Sequence, residues 1–148
     1  MITYFINNIT ESELLNYLQD ANDTFPIPLN QIVDLKEYSK KLYKYGTIFS
    51  SYNNNILIGI AVCYFNNEKT KEGYLSILHV KPDFQDKGIA KGLIYNFKTY
   101  AIMHSFRYIK LEVYIFHKKA ISLYEKMGFK IIDVDSNNKS LYMRCNIL

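Results

Sequence analysis

Residues 80–92 read Val80-Lys81-Pro82-Asp83-Phe84-Gln85-Asp86-Lys87-Gly88-Ile89-Ala90-Lys91-Gly92. An apolar run over 75–80 leads into this segment and predicts a strand, which Pro82 ends because proline has no N–H for ladder pairing. Apolar residues at helical spacing then predict a helix that begins near Gly88. A glycine-bearing loop at a helix N-terminus directs free N–H groups and the positive end of the helix dipole at one point, which favours phosphate binding. Lys87 and Lys91 add positive charge at the rim of this loop.

The loop has neither the spacing of a Walker motif nor a dinucleotide fingerprint. The hexapeptide Gln85-Asp86-Lys87-Gly88-Ile89-Ala90 resembles instead the Q/R-x-x-G-x-G/A pyrophosphate loop of the GNAT superfamily of acyl-CoA N-acyltransferases. Residues 120–129, Ala-Ile-Ser-Leu-Tyr-Glu-Lys-Met-Gly-Phe, resemble the A-x-x-L-Y-x-x-x-G-F segment of the same family and follow in the family's order. The close resemblance covers residues 72–132, and the N-terminal third matches only in its pattern of elements.

The resemblance implies that acetyl-CoA is the cosubstrate. The residues that it implies for acetyl-CoA binding are Leu78, His79, Val80, Gln85, Asp86, Lys87, Gly88, Ile89, Ala90, Lys91, His117 and Tyr124. It also implies that the backbone near Leu78 to Val80 lies beside the acyl carbonyl of the cosubstrate. There the backbone would donate a hydrogen bond to the oxyanion of the tetrahedral intermediate.

Composition limits the class of protein. The chain has 148 residues, which predicts a single domain over 1–148, and its net charge of +4 is too diffuse to indicate nucleic-acid binding. Cys63 and Cys145 lie in apolar runs and are interpreted as buried free thiols, with no metal site. No apolar stretch is long enough for a membrane span, and the N-terminus lacks the layout of a signal peptide. We therefore expect a cytoplasmic protein, with a homodimer as one oligomeric state to consider.

Periodicity predicts the secondary structure. Strands are expected at 2–6, 47–52, 56–65, 73–80, 108–114, 129–135 and 140–147, and helices at 11–20, from a cap at Asp34 to Tyr43, at 88–103 and at 118–127. Capping boxes are expected at Thr10 with Glu13 and at Asp34 with Glu37, and Gly46 is expected to stop the second helix. The prolines within 22–30 favour extended backbone there.

The resulting order is β-α-α-β-β-β-α-β-α-β-β. It predicts an α+β fold with a mixed, mostly antiparallel seven-stranded sheet flanked by helices. The GNAT resemblance implies the same order, and it implies that the strands at 73–80 and 108–114 separate to admit the pantetheine arm of the cofactor.

Two residues of the last third are candidates for contact with the thioester. Tyr124 matches the family's helix tyrosine, which implies that it protonates or stabilises the departing thiolate, although Ile121 and Met127 on the same helical face would also suit plain packing. His117 stands where the family has a pantetheine-binding asparagine. Its ring either donates one hydrogen bond in place of the amide or points to solvent beside Lys118 and Lys119.

The general base is harder to assign from sequence. Many relatives carry a glutamate early in the strand before the phosphate loop, where this chain has Gly73 and Tyr74. Glu112 on the polar face of the neighbouring strand and His79, which has a suitable ordinary pKa, are the candidates. A histidine in an apolar strand is more often structural, and an amine can also lose its proton to solvent.

The acceptor is expected against residues 22–34, with Phe25 and Ile27 as substrate-binding residues. Asp34 serves mainly as a helix cap. The amino-acid sequence of residues 25–38 is similar to that of family members associated with surface-polysaccharide synthesis. This similarity implies that the acceptor is a small-molecule primary amine, with an amino sugar as one possibility. The alternatives are an amine of a protein or peptide, a non-catalytic acyl-CoA-binding module, and a loop that binds ADP or ATP.

Overall fold

A computed structural model describes residues 1–147 and shows a seven-stranded sheet with helices on both faces. The strands are β1 (Ile2–Ile6), β2 (Thr47–Asn53), β3 (Ile56–Tyr64), β4 (Glu72–Val80), β5 (Tyr108–Tyr114), β6 (Phe129–Val134) and β7 (Ser140–Asn146). The helices are α1 (Glu11–Ala21), α2 (Leu35–Tyr45), α3 (Ile89–Met103) and α4 (Lys118–Lys126). The predicted α+β class and order of elements are confirmed. Within 1–147, no helix is long and apolar enough to cross a bilayer.

The strands lie in the order β1-β2-β3-β4-β5-β7-β6. All neighbouring pairs are antiparallel except β4 and β5, which run parallel because α3 carries the chain back between them. The sheet is therefore mixed and mostly antiparallel, as predicted.

Local sequence signals explain most element boundaries. Thr10 and Glu13 form the predicted capping box, with both hydrogen bonds 3.1 Å long. Asp34 caps α2 by accepting a hydrogen bond from the Glu37 N–H at 3.0 Å. The reciprocal hydrogen bond to the Glu37 side chain is not formed, so the second predicted capping box has one of its two hydrogen bonds. Asn54 has a φ of 49° and allows the tight turn between β2 and β3.

Gly46 ends α2 for a different reason from the one predicted. Its φ of −92° and ψ of 157° are extended, so it is not a left-handed cap. A Cβ at this position would come within 2.6 Å of the Leu42 carbonyl oxygen and still closer to the Val62 side chain. Glycine is required here because α2 and β3 approach each other closely.

The segment of residues 22–34 is less extended than its prolines predicted. It contains two short 3₁₀ helices, Asn22–Thr24 and Leu29–Gln31, with extended backbone at Phe25 between them. The Asn22 side chain accepts the backbone N–H of Asn30 at 2.8 Å and so joins the two turns. The segment is a compact loop against the sheet.

Two apolar cores cover the faces of the sheet. One packs α3 and α4 against the strands around Phe49, Phe97 and Phe129, and the other packs α1 and α2 around Leu14, Leu18 and Leu42. Cys63 and Cys145 are both buried and free. The cores fix both faces, so the site lies where the sheet opens.

The sheet opens between β4 and β5. The two strands pair only from Glu72↔Tyr108 to Leu75↔Leu111. On the other edge of β4 the register with β3 shifts after Leu75, which places an extra residue, Ser76, in the strand. Such a bulge bends its strand. Beyond it β4 continues along β3 to Val80 and leaves β5, which confirms the implied separation.

Candidate active site

The loop between β4 and α3 is shaped to receive an anion. Asp86 and Gly88 have φ values of 61° and 81°, and the Gln85 side chain holds the loop by donating to the Val80 carbonyl oxygen at 3.0 Å. The backbone N–H groups of residues 86–91 have no acceptor among residues 1–147. Successive N–H groups in such a turn form a concave nest with partial positive charge. The loop therefore offers a ready binding site for a phosphate or diphosphate.

Gly88 keeps this nest open. A Cβ placed on it would meet no atom within 4 Å, so the space above the loop is free. Its positive φ strains residues with a side chain. A larger residue would both strain the loop and fill the space that an anion needs.

The loop forms one end of a cavity of about 520 Å³ between β4, α3 and α4. All the predicted cofactor-binding residues except Lys87 line it. The remaining lining residues are Phe84, Lys119, Ala120, Ser122, Leu123 and Lys126. Lys119 forms an ion pair with Asp86 at 2.9 Å across the mouth, and because both side chains are largely exposed the pair contributes little stability. Lys87 lies instead over the Phe84 ring, with its Nζ 5.6 Å from the ring centroid.

A second cavity of about 460 Å³ lies on the other side of the opening in the sheet. It is bounded by residues 25–33, by Tyr38 in the first turn of α2, and by β4 and β5, and Phe25 and Ile27 both line it. The two cavities share four lining residues, Leu78, His117, Ala120 and Tyr124. A group bound in one cavity can therefore meet a group bound in the other at these residues.

Tyr124 stands at this junction. Its side chain is buried and packs against Phe129, with ring centroids 5.6 Å apart and ring planes tilted by 60°. Burial, with a smaller contribution from Cys63, raises the pKa of Tyr124, so the hydroxyl keeps its proton at neutral pH. The hydroxyl has no hydrogen-bond partner among residues 1–147. The hydroxyl is therefore a proton donor at the junction of the two cavities, and its O–H is available to a bound molecule.

His117 lies beside it at the start of α4. The residue is half-buried and its ring makes no hydrogen bond within the described part of the chain. Burial, and secondarily Lys119, lowers the pKa of His117 and favours the neutral ring. A neutral imidazole has one N–H donor. The ring thus lines both cavities and has one N–H available as a hydrogen-bond donor. Such a donor is required if His117 is to replace an asparagine amide.

His79 is fully engaged in holding the structure. Thr24 Oγ1 donates its hydrogen to the Ala21 carbonyl at 2.6 Å, so His79 Nε2 must donate to Thr24 at 2.8 Å and Nδ1 must accept from the Tyr17 hydroxyl at 2.8 Å. The ring also stacks on Phe25, with centroids 4.4 Å apart. Burial and Lys81 lower the pKa of His79 to about 4. Its lone pair is already used, which argues against the catalytic role considered from sequence and favours a structural one.

Glu112 lies in the lining of the second cavity. Its side chain is exposed into the second cavity, and Ser140 donates to its Oε2 at 2.5 Å. Oε1 has no partner among the described residues and is free to accept a proton or bind an ammonium group. Of the two candidate bases, Glu112 has the available lone pair.

Several lining residues were not identified from sequence. Tyr38 and Ser76 line the second cavity and share a hydrogen bond of 2.7 Å, and Tyr74, Ser140 and Lys119 also line one of the cavities. Tyr74 and Ser76 interrupt the apolar pattern of β4, which was the available signal. The contributions of α2 and β7 could not be found without the strand order.

Comparisons with known proteins agree with this geometry. The family model described as Acetyltransferase (GNAT) family matches residues 13–129. An uncharacterised N-acetyltransferase of Methanocaldococcus jannaschii is 25% identical over 138 residues, covering 86% of this chain and 61% of that relative. The chain thus spans less than two thirds of that curated relative's length.

Solved structures have the same fold. The ribosomal-protein-S18-alanine N-acetyltransferase of Escherichia coli superposes with a TM-score of 0.79 at 18% identity, covering 98% of this chain and 94% of that one. The PaiA N-acetyltransferase of Thermoplasma acidophilum, solved in complex with coenzyme A, superposes with a TM-score of 0.75 at 17% identity, covering 97% and 99%. The match of the family model to most of the chain establishes that this protein belongs to the GNAT family of acetyltransferases.

Proposed function

We propose that this chain transfers the acetyl group of acetyl-CoA to the primary amine of a small molecule. The observation that carries the proposal is the meeting of two cavities at Tyr124, one beside an anion-binding loop and the other beside a free carboxylate oxygen. A non-catalytic cofactor-binding module would need only the first cavity.

The first cavity suits acetyl-CoA in two respects. Its unpaired N–H groups at 86–91 match the diphosphate of the coenzyme, and Lys91, Lys119 and Lys126 around it match the coenzyme's negative charge. The strand β4 lacks a neighbour on its β5 side beyond Leu75, which leaves backbone groups available to the amides of a pantetheine arm. The complex of the Thermoplasma relative with coenzyme A supports the same assignment.

Acetyl-CoA supplies a thioester, so the amine nitrogen gains a bond to the acetyl carbon, the carbon–sulfur bond breaks, and one proton leaves nitrogen while one is gained by sulfur. In this chain Tyr124 is suited to give the proton to sulfur, because its hydroxyl is protonated and without a partner. Oε1 of Glu112 is suited to take the proton from nitrogen, directly or through water. General acid and base groups of this kind each contribute about 10²- to 10⁴-fold in rate.

A small acceptor fits the second cavity. Its volume of about 460 Å³ lies within the range of roughly 300–1,000 Å³ that is usual for small-molecule sites. An amino sugar is one acceptor of suitable size, and it also follows from the sequence similarity over 25–38. A protein amine is the main alternative, since the Escherichia coli neighbour is named for a ribosomal protein, although similarity at 18% identity supports the fold alone.

We place the reaction in the cytoplasm. The two cysteines are buried free thiols, which suits a reducing compartment. We also propose a homodimer, which analytical ultracentrifugation of the purified chain would test.

Calorimetry followed by a turnover assay tests the function. We expect acetyl-CoA to bind and ATP not to bind, because the cavity continues from the loop to Tyr124 along β4 rather than ending at the phosphates. Release of free thiol should then depend on an added small amine. Tight binding of ATP would contradict the proposal. So would binding of acetyl-CoA followed by release of its thiol only when the added amine belongs to a peptide.

A further inference from the structure

The lining of the second cavity points to the chemical class of the acceptor: we infer a primary amine that carries a single positive charge on a neutral body, either hydroxylated or apolar. This inference rests on the proposed function, because it assumes that the second cavity is the acceptor site. It goes further by excluding polycationic and phosphorylated amines.

The first observation is the charge of the lining. The residues around the second cavity are Phe25, Pro26, Ile27, Leu29, Ile32, Val33, Tyr38, Tyr74, Leu75, Ser76, Ile77, Leu78, Leu111, Glu112, Val113, Tyr114, His117, Ala120, Tyr124 and Ser140. Glu112 is the only acidic residue in this set, and the set contains no lysine or arginine. A bound molecule therefore finds one negative charge and no fixed positive charge.

The second observation is the surroundings of Glu112. Ser140 holds one carboxylate oxygen at 2.5 Å and leaves the other free. Tyr74 and Tyr114 are close enough that Glu112 acts on both hydroxyls electrostatically, and burial, with Glu112 second, raises the pKa of Tyr74 to about 12. The tyrosines thus remain neutral and add no second negative charge. A carboxylate beside aromatic rings is a favourable site for one ammonium group.

The third observation is the wall of the second cavity that residues 25–33 form. It is apolar, formed by side chains of residues 25–33. A second ammonium group of a polyamine that lay against this wall would lose its hydration without gaining a counter-charge, which disfavours binding of the polyamine. A phosphate would meet no lysine or arginine among the lining residues.

The neutral part of the acceptor has partners of its own. Hydroxyl groups of Tyr38, Ser76 and Tyr74 line the cavity next to the bulge in β4 and can exchange hydrogen bonds with hydroxyls of a ligand. The apolar wall can pack against a sugar ring or an aromatic ring. A free amino sugar fits both features, whereas a sugar nucleotide carries a diphosphate that the cavity does not match.

The test is a binding comparison that does not depend on turnover. The protein is saturated with coenzyme A, and glucosamine, tyramine, spermidine and UDP-glucosamine are titrated by calorimetry. We expect glucosamine or tyramine to bind at least 10-fold more tightly than spermidine and UDP-glucosamine. Preferred binding of spermidine or UDP-glucosamine overturns the inference. Absence of thiol release with an amine that binds would count against the proposed function alone.

A charge-neutral variant tests the role of Glu112. Glu112→Gln should weaken the preferred amine at least 10-fold while leaving the affinity for acetyl-CoA unchanged. Glucose is the uncharged analogue of glucosamine, and its weak binding should be the same in Glu112→Gln as in wild type. A general structural defect would weaken the binding of glucose as well. Glu72→Gln is the matched control, because Glu72 lies on β4 outside both cavities and pairs with Arg144 at 3.6 Å. Equal amine affinity in wild type and Glu112→Gln would refute the assignment.

Discussion

Replacement of Tyr124 by phenylalanine separates chemistry from packing. The change removes one oxygen and keeps the ring that packs against Phe129. Since the hydroxyl has no partner among residues 1–147, its removal leaves no buried group unpaired. The change in the free energy of unfolding should therefore stay within about 0.5 kcal/mol, as for substitutions that break no specific interaction.

The expected kinetic effect is much larger. If the hydroxyl gives its proton to the departing sulfur, the interaction develops only in the transition state, and its loss lowers kcat with little effect on acetyl-CoA affinity. We expect a decrease of about 10-fold or more, which corresponds to at least about 1.4 kcal/mol of transition-state stabilisation.

Tyr17→Phe is the matched control for stability. Tyr17 is also buried, but its hydroxyl contacts His79 Nδ1 at 2.8 Å, so its loss leaves a buried acceptor unpaired. That loss costs about 1–3 kcal/mol. At about 2–4 °C per kcal/mol for a chain of this size, Tm should decrease by about 2–12 °C. Tyr124→Phe should shift Tm by no more than about 2 °C.

The assay is single-turnover acetyl transfer to the best amine of the panel, with Tm measured by circular dichroism. Single-turnover conditions are needed because slow product release would conceal a slower chemical step. A Tyr124→Phe protein with the full single-turnover rate would refute the proton-donor role and leave solvent as the source of the proton. A fall in Tm as large as that of Tyr17→Phe would refute the claim that the hydroxyl is free.

Three further predictions concern the loop and His79. Gly88→Val should fold but bind acetyl-CoA at least 10-fold more weakly by calorimetry, because a branched side chain at a φ of 81° is strained and fills the open space above the nest; unchanged affinity would exclude this loop as the diphosphate site. The Lys87→Ala, Lys91→Ala double variant should lose affinity at low salt and lose much less at 1 M salt, where the Debye length is ~3 Å; an equal loss at both would rule out screened attraction. Because the pKa of His79 is lowered to about 4 in the folded protein, the unfolded state binds the extra proton between pH 6.5 and pH 4, so stability falls as pH falls through that window. Urea titrations should show wild type losing roughly 3 kcal/mol more than His79→Gln between pH 7 and pH 4, and parallel losses would contradict the buried, neutral ring.

Sequence was sufficient for the elements and for the backbone shape of the loop at 85–90 because both depend on local signals. The capping box at Thr10, the turn at Asn54 and the glycine at 88 each determine backbone geometry within a few residues. The contacts of His79 could not be predicted in this way, since Tyr17 and Thr24 lie 62 and 55 residues away in the chain. The bond between Glu112 and Ser140 likewise depends on the pairing of β5 with β7.

The bulge in β4 could not be predicted from the sequence either. The run Leu75-Ser76-Ile77-Leu78 has no clear alternation, because β4 is buried on both faces by the two cores. A strand without regular alternation gives no register, so the extra residue at Ser76 could not be located from the pattern.

The short pairing of β4 with β5 has a mechanical consequence. Among residues 1–147, only the residue pairs from Glu72↔Tyr108 to Leu75↔Leu111 join the strands β1–β4 to the strands β5–β7 within the sheet, so this line is a seam between two units of the sheet. The first cavity is built from both units, with the loop and α3 on one side of the seam and α4 on the other. A molecule bound there would act as a cross-link over the seam. Its binding energy would then oppose separation of the two units, and unfolding would become more cooperative when the cavity is filled.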